Sequence, residues 1–300
     1  MKTKLLLSAK TIVCNLLLLS YFISTAQNEV TYQDEGAIMS EIKVASRNFL
    51  DNENILLNSL NAGAQLYKSN TTELNLPQPN TKELSAEEIF KQAKKSTLII
   101  GTGWLCNTCD KTHAGTASGY IISEDGAFVT NYHVINSFIE APFDKKVLTA
   151  RTYDGKIYQV KKVLAKDKLN DLAILQLETL GDKLTPMPLG KPAAPGTKTY
   201  VLSNPKKLFY YFSQGMVARN SKMESEDEEG TIYSMAITAD YAKGSSGGPV
   251  IDSYGNAIGT VSNTYSMYAD QSHQANLQMV IKNTVPVIAL KNIIEENKGS

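Results

Sequence analysis

The sequence predicts an all-β core of two six-stranded units, barrels or sandwiches, with a helical N-terminal appendage and a C-terminal helix. Three observations carry this. From Ser96 onward, short runs of β-branched and apolar residues alternate with turn signals such as Ser123-Glu124-Asp125-Gly126 and Tyr153-Asp154-Gly155. A Gly/Pro-rich bridge from Leu184 to Gly196 divides these runs into two sets. Strands do not alternate with long helical patterns, and no segment repeats, so a parallel α/β sheet and a solenoid are excluded.

Taken in order, residues 1–26 read as a secretory signal peptide. Lys2, Lys4 and Lys10 precede the apolar run Thr11–Ile23, which is short for a membrane span, and Ser24-Thr25-Ala26 supplies small residues for cleavage. Cys14 follows Val13, where a lipoprotein signal needs a small residue, so no lipid attachment is expected. Residues 27–69 read as a helical segment. Ile38, Met39, Ile42, Ala45 and Phe49, then Leu57, Leu60, Ala64 and Tyr67, recur at three- and four-residue spacing, with a turn at Asp51–Asn54. The polar stretch around Pro77 and Pro79 is a linker, 70–84, and Ser85 with Glu88 forms a capping box for a short helix.

The first strand set comprises Thr97–Ile100, Ser118–Ile122, Ala127–Asn131, Val147–Thr152, Ile157–Leu164 and Leu172–Leu177. The second comprises Thr199–Leu202, Leu208–Ala218, Ile232–Thr238, Val250–Asp252, Ala257–Asn263 and Leu277–Ile281. These occupy about 96–180 and 187–283, within one domain of 85–300 that ends on a helix over 285–296.

Composition narrows the partners. With 30 basic and 30 acidic residues the formal net charge is zero, so no large basic face is expected and nucleic acid is a poor partner. Neither is a stable membrane anchor expected once residues 1–26 are removed.

The chemistry gathers on three stretches. Ala242–Ile251 reads AKGSSGGPVI, in which glycines permit a sharp turn that presents Ser246 Oγ and aims backbone N–H groups the same way. Serine is a weak nucleophile without a base near neutral pH, and histidine suits that role. His133 follows a predicted strand, in TNYHVI. The base needs a carboxylate to fix its tautomer, and Asp171 opens a strand in NDLAIL.

The blocks around His133, Asp171 and Ser246, in that order, with Gly255-Asn256-Ala257-Ile258-Gly259 downstream, resemble the trypsin-like, chymotrypsin-fold serine peptidases, most closely the bacterial HtrA/Deg branch. The resemblance covers roughly Ser96 to Glu295. It implies two antiparallel six-stranded barrels with the site in the cleft between them, and a serine endopeptidase acting on extended polypeptide segments. It further implies Ser246 as nucleophile, His133 as general base, Asp171 as its orienter, and the N–H groups of Gly244 and Ser246 as the oxyanion hole. Ser262, Asn263 and Thr264 match the segment that pairs with substrate. No cofactor is expected. Ser245 stands where trypsin-type zymogens carry Asp, so activation by a new N-terminus is not expected. The short stretch after the last predicted strand leaves no room for a PDZ domain.

Specificity stays open. Asp240 has the spacing of an acidic pocket residue and would select Lys or Arg, whereas Tyr241 and Ala242 lining the pocket would select a medium apolar side chain. Val261 stands where Glu-specific relatives carry His, which disfavours an acidic preference. Cys106 and Cys109 are expected to pair as a disulfide after export. With His113 they could instead supply three zinc ligands, though no fourth is evident, or form a redox pair. The acidic run Glu224–Glu229 reads as solvated surface and His273 as a surface-loop residue. Oligomerisation through the N-terminal helices, and removal of residues 27–82 as a pro-segment, are both compatible with the sequence.

Overall fold

A computed structural model describes residues 32–106, 108–227 and 229–296. Residues 1–34 and Glu35–Ser300 separate into two units, and the second holds all the architecture below. The signal peptide expected over 1–26 lies outside the described residues.

Two closed barrels of six strands form the core. The first is built from β2 (Thr97–Leu105), β3 (Thr112–Ile121), β4 (Ala127–Thr130), β5 (Lys146–Arg151), β6 (Ile157–Asp167) and β7 (Leu172–Leu177). Its order around the ring is β2-β3-β4-β7-β6-β5, and every pairing is antiparallel. The second is built from β8 (Lys198–Ser203), β9 (Tyr211–Glu224), β10 (Thr231–Ile237), β11 (Pro249–Ile251), β12 (Ala257–Asp270) and β13 (Ala275–Pro286), ordered β10-β13-β12-β11-β8-β9 and also antiparallel. Closure removes the unpaired edges that an open sheet would expose.

The helical segment is α1 (Glu35–Asp51) and α2 (Ser59–Lys68), preceding β1 (Thr72–Leu74) and α3 (Ala86–Ser96). The spacing of Ile38, Met39 and Ile42 places them on one face of α1, and that face is buried against β2, β3 and β5. The approach is close enough to dictate sequence on the barrel: a Cβ on Gly103 would lie 2.2 Å from Ser46 Oγ. Arg151 Nη2 meets Glu41 Oε2 at 2.6 Å across the same contact. Buried Leu57, Ala62 and Leu66 sit in one cluster with Phe138 and the strands of the first barrel. At α3, Ser85 Oγ accepts from the Glu88 N–H at 3.2 Å and the Glu88 carboxylate accepts from the Ser85 N–H at 2.8 Å, a complete capping box.

The C-terminus differs from the expected helix. Helix α5 covers only Val287–Asn292, and β14 (Ile294–Glu296) then pairs in parallel with β1, Thr72 opposite Ile294. Ile294 favours extended backbone and, like Ile293 before it, is buried, and Thr71 Oγ1 donates to Glu295 Oε1 at 2.8 Å. The polar linker therefore contains a strand. Among the described residues no helix is long and apolar enough to cross a membrane.

Candidate active site

His133 enters the site because β4 stops at Thr130 and α4 (Tyr132–Glu140) starts at once, setting the histidine in the first helical turn. Asp171 sits in the turn before β7 with φ 53°, a left-handed conformation that a short polar side chain tolerates. Asn131 holds the Asp171 carbonyl through Nδ2 at 2.8 Å. The Asp171 carboxylate then receives three donors: the His133 N–H at 3.0 Å, His133 Nδ1 at 2.9 Å, and Ser262 Oγ at 2.7 Å. A carboxylate only accepts, so Nδ1 donates to it, and Nε2 has no hydrogen-bond partner among the described residues. The ring is 47% exposed and Asp171 27%.

Ser262 reaches Asp171 because the β12–β13 register shifts between Val261 and Asn263, a bulge that re-aims this one side chain. Beyond Val261, which accepts from the Gly247 N–H at 3.0 Å, the same edge of β12 carries Ser262, Asn263 and Thr264.

Ser246 lies in the turn ahead of β11. Gly244 (φ 100°) and Gly247 (φ 84°) flank it in conformations that disfavour a side chain. At Gly247 the case is double, since a Cβ would also fall 2.3 Å from both the Ser118 carbonyl and Thr130 Oγ1. The Ser245 N–H donates to the Ala242 carbonyl, the Gly248 N–H to the Ser245 carbonyl, and the Lys206 N–H to the Lys243 carbonyl. Among the described residues the N–H groups of Gly244 and Ser246 have no hydrogen-bond partner. Ser246 Oγ lies 3.5 Å from the Ser262 carbonyl and makes no bond to His133, although both line one cleft of ≈ 350 Å³ with Trp104, Phe143 and Gly244.

Ser118 escaped the sequence reading. Its N–H donates to the Ser246 carbonyl at 2.9 Å, and its Oγ donates to the Gly244 carbonyl at 2.9 Å. Buried Asn204 donates to Ser118 Oγ through Nδ2 at 3.0 Å. A serine and an asparagine ending or crossing strands carry no sequence signal of such a role. Ser245 is fully buried, and its Oγ accepts from Ser203 Oγ at 2.9 Å.

The residues considered for specificity separate. Asp240 is 78% exposed and lies 3.7 Å from Lys282 Nζ. Tyr241 is buried, and its hydroxyl reaches the carbonyls of Asn263 (2.9 Å) and Asn283 (2.6 Å), bridging β12 and β13; burial pushes its phenol well above the usual range. Ala242 is exposed.

In place of the expected disulfide, Cys106 and Cys109 are free thiols. Cys106 Sγ lies 3.4 Å from Thr108 Oγ1, and Cys109 Sγ lies 3.4 Å from His113 Nε2. Hydrogen bonds from Cys109 and Thr108 bring the Cys106 thiol down to about 6, while Cys109 is raised by its neighbour Cys106. His273 is exposed on the β12–β13 turn and pairs with Asp270 at 2.8 Å.

With this geometry in place, the comparisons with known proteins fall on the same part of the chain. A family profile described as trypsin-like peptidase domain matches residues 117–259, which include all three of His133, Asp171 and Ser246. The chain contains a trypsin-like peptidase domain homologous to the Deg/HtrA serine proteases. The chloroplastic Protease Do-like 5 of Arabidopsis thaliana is 33% identical over 159 residues, covering 51% of this chain and 49% of that protein. Serine endoprotease DegS of Haemophilus influenzae is 29% identical over 142 residues, covering 47% of this chain and 39% of the relative. The chain thus spans about half the length, or less, of these curated relatives. A crystal structure of Deg5 superposes with a TM-score of 0.54 at 26% identity, covering 70% of this chain and 95% of that one.

Proposed function

We propose that the chain is an exported serine endopeptidase that hydrolyses peptide bonds in extended polypeptide segments. Ser246 Oγ attacks the scissile carbonyl, His133 Nε2 takes its proton and later delivers it to the leaving amine, and water resolves the acyl-enzyme by the same route. Asp171 holds the imidazole and stabilises its charged form. The N–H groups of Gly244 and Ser246 bind the oxyanion; each such donor contributes about 3 kcal/mol of transition-state stabilisation. The chemistry calls for no cofactor.

The observation that carries the reading is the double hold of Asp171 on His133, on both the backbone N–H and Nδ1, which leaves one nitrogen free as a base. The oxyanion reading is supported by the Lys243 carbonyl. It is held by the Lys206 N–H, and in a trans peptide the Gly244 N–H then points the opposite way. Substrate adds as a strand along Ser262, Asn263 and Thr264. Tyr241 closes the base of the P1 pocket by its bridge to Asn263 and Asn283, so a small or medium apolar P1 side chain is accepted. Asp240, turned to solvent and Lys282, takes no part in choosing it. The conversion of residues 1–26 to a cleaved export signal belongs to this proposal, as does division into a helical segment, a linker and one protease domain. The apolar side chains the helical segment leaves to a second copy include Val44, Leu60 and Tyr67.

A second reading, a silent peptide-binding module, draws on the 3.5 Å contact of Ser246 Oγ with the Ser262 carbonyl in place of a bond to His133. Catalytic hydrogen bonds in unliganded enzymes often tighten only with substrate. A fluorophosphonate probe decides between them. Labelling of the folded protein that disappears in Ser246→Ala supports the peptidase; a folded wild-type protein that takes no label overturns it.

A further inference from the structure

The tip of the β2–β3 hairpin carries a cluster that the peptidase chemistry does not use. Cys106 follows the last residue of β2, Cys109 sits in the turn, and His113 lies on β3 opposite Trp104. The two Sγ atoms and a ring nitrogen of His113 all lie within 4.8 Å of one another. Tetrahedral zinc, with Zn–S near 2.3 Å and Zn–N near 2.05 Å, sets a ligand sulfur and a ligand nitrogen about 3.5 Å apart. Cys109 Sγ and His113 Nε2 stand at 3.4 Å. The imidazole is held in place by stacking on Trp104, with centroids 5.9 Å apart and planes within 18°, and Trp104 stacks in turn on Phe143 at 4.7 Å.

We propose that Cys106, Cys109 and His113 bind one thiophilic divalent cation, zinc by preference, with solvent at the fourth position. The donor set is two soft thiolates and a borderline imidazole, which selects zinc over calcium or magnesium. Both cysteines bind as thiolates, and the dication with two thiolates is neutral overall, which suits an exposed hairpin tip. A disulfide between the same cysteines would satisfy neither the position of His113 nor its alignment toward Cys109 Sγ.

The consequence for the cleft follows from Trp104. Its ring touches the metal ligand His113 on one side, and it lines the same cavity as His133 and Ser246. A bound cation therefore pins the hairpin that walls the cleft. Metal binding goes beyond the peptidase reading, and its test does not depend on activity.

The full chain, reduced and freed of metal, is titrated with Co²⁺ alone. The expected result is a thiolate-to-cobalt charge-transfer band that saturates at one equivalent and is displaced by Zn²⁺. Fluorescence of Trp104, the chain's one tryptophan, should be quenched in step with it. Cys109→Ser and His113→Ala should each weaken binding at least tenfold while the circular dichroism of the fold is unchanged. Absence of the band at stoichiometric Co²⁺ in wild-type protein with both thiols free overturns the proposal, as does a band that survives in both variants. Protein exported in zinc-containing medium and purified without reductant supplies the remaining arm. An intact mass lacking two thiol hydrogens there shows that the pair is a disulfide and also overturns it; thiols that react only after a chelator is added support it.

Discussion

The two barrels share a strand plan and differ in how they meet solvent. In the first, β4, β5 and β7 are buried along their whole length, and α1, α2 and α4 cover its outside. In the second, β9, β12 and β13 run far past the barrel as ribbons whose outer halves are largely exposed, with Met223, Tyr265, Leu277 and Met279 facing outward. The division matches the proposed labour. The His133–Asp171 pair, which must not move, stands on the clothed barrel. The Ser246 turn and the strand edge proposed to receive a substrate stand on the other, whose long ribbons are largely exposed.

This contrast can be broken in four places, in descending order of effect. Asp171→Asn removes the acceptor that fixes the histidine tautomer, so kcat should fall on the order of 10⁴-fold with the fold intact; a fall of only a few-fold, measured as single-turnover hydrolysis, would show that the first barrel does not supply the rigid half. Ile42→Ala, at a position 1% exposed between α1 and the first barrel, should cost about 2–5 kcal/mol in denaturant unfolding. A negligible cost would mean that α1 is not part of that barrel's cladding. Tyr241→Ala removes the ring and its bridge to the Asn263 and Asn283 carbonyls. The ratio of kcat/KM for a Leu or Phe P1 substrate over an Ala one should then rise by roughly 10- to 100-fold, and an unchanged profile on a peptide library would remove selectivity from the second barrel.

The smallest effect is at the cap of α3. Ser85→Ala should lower stability by about 1 kcal/mol. The Ser85 N–H and hydroxyl hold the Glu88 carboxyl below its ordinary value. Its contribution is therefore present above the ordinary carboxylate range and is lost as pH falls through the lowered value. The stability difference between wild type and Glu88→Gln should shrink on acidification; a difference that persists at low pH would show that charge has no part in the cap.

How legible this was depended on the range of the interactions. Strand cores such as Leu172–Leu177 declare themselves because every residue but Gln176 is apolar, and the capping box because its partners are three residues apart. The pairing of β1 with β14 joins three-residue strands from opposite ends of the chain, and no local pattern announces it. The candidate triad was readable because each block carries its own turn chemistry. The orientation of Asp240 was not, since spacing along a loop does not fix where a side chain points, and here the carboxylate is largely exposed, 3.7 Å from Lys282 Nζ. Tyr241 was placed near the pocket by sequence, but its bridge depends on two carbonyls from different strands. Ser118 gave no sign at all, because its partners, the carbonyls of Gly244 and Ser246 and the amide of Asn204, are all distant in sequence.

Ser118 belongs to the first barrel, and the turn it secures belongs to the second. The bonds that shape the Ser246 turn are thus also bonds between the barrels, reinforced by Asn204 reaching the Leu98 carbonyl. Loosening of the seam between them, a much smaller event than unfolding either one, already dismantles the turn. Such partial opening lies at the low end of the free energies that a folded protein samples. Mild stress should accordingly act first on this seam, and a preparation can keep all of its strand content after the Ser246 turn has come apart.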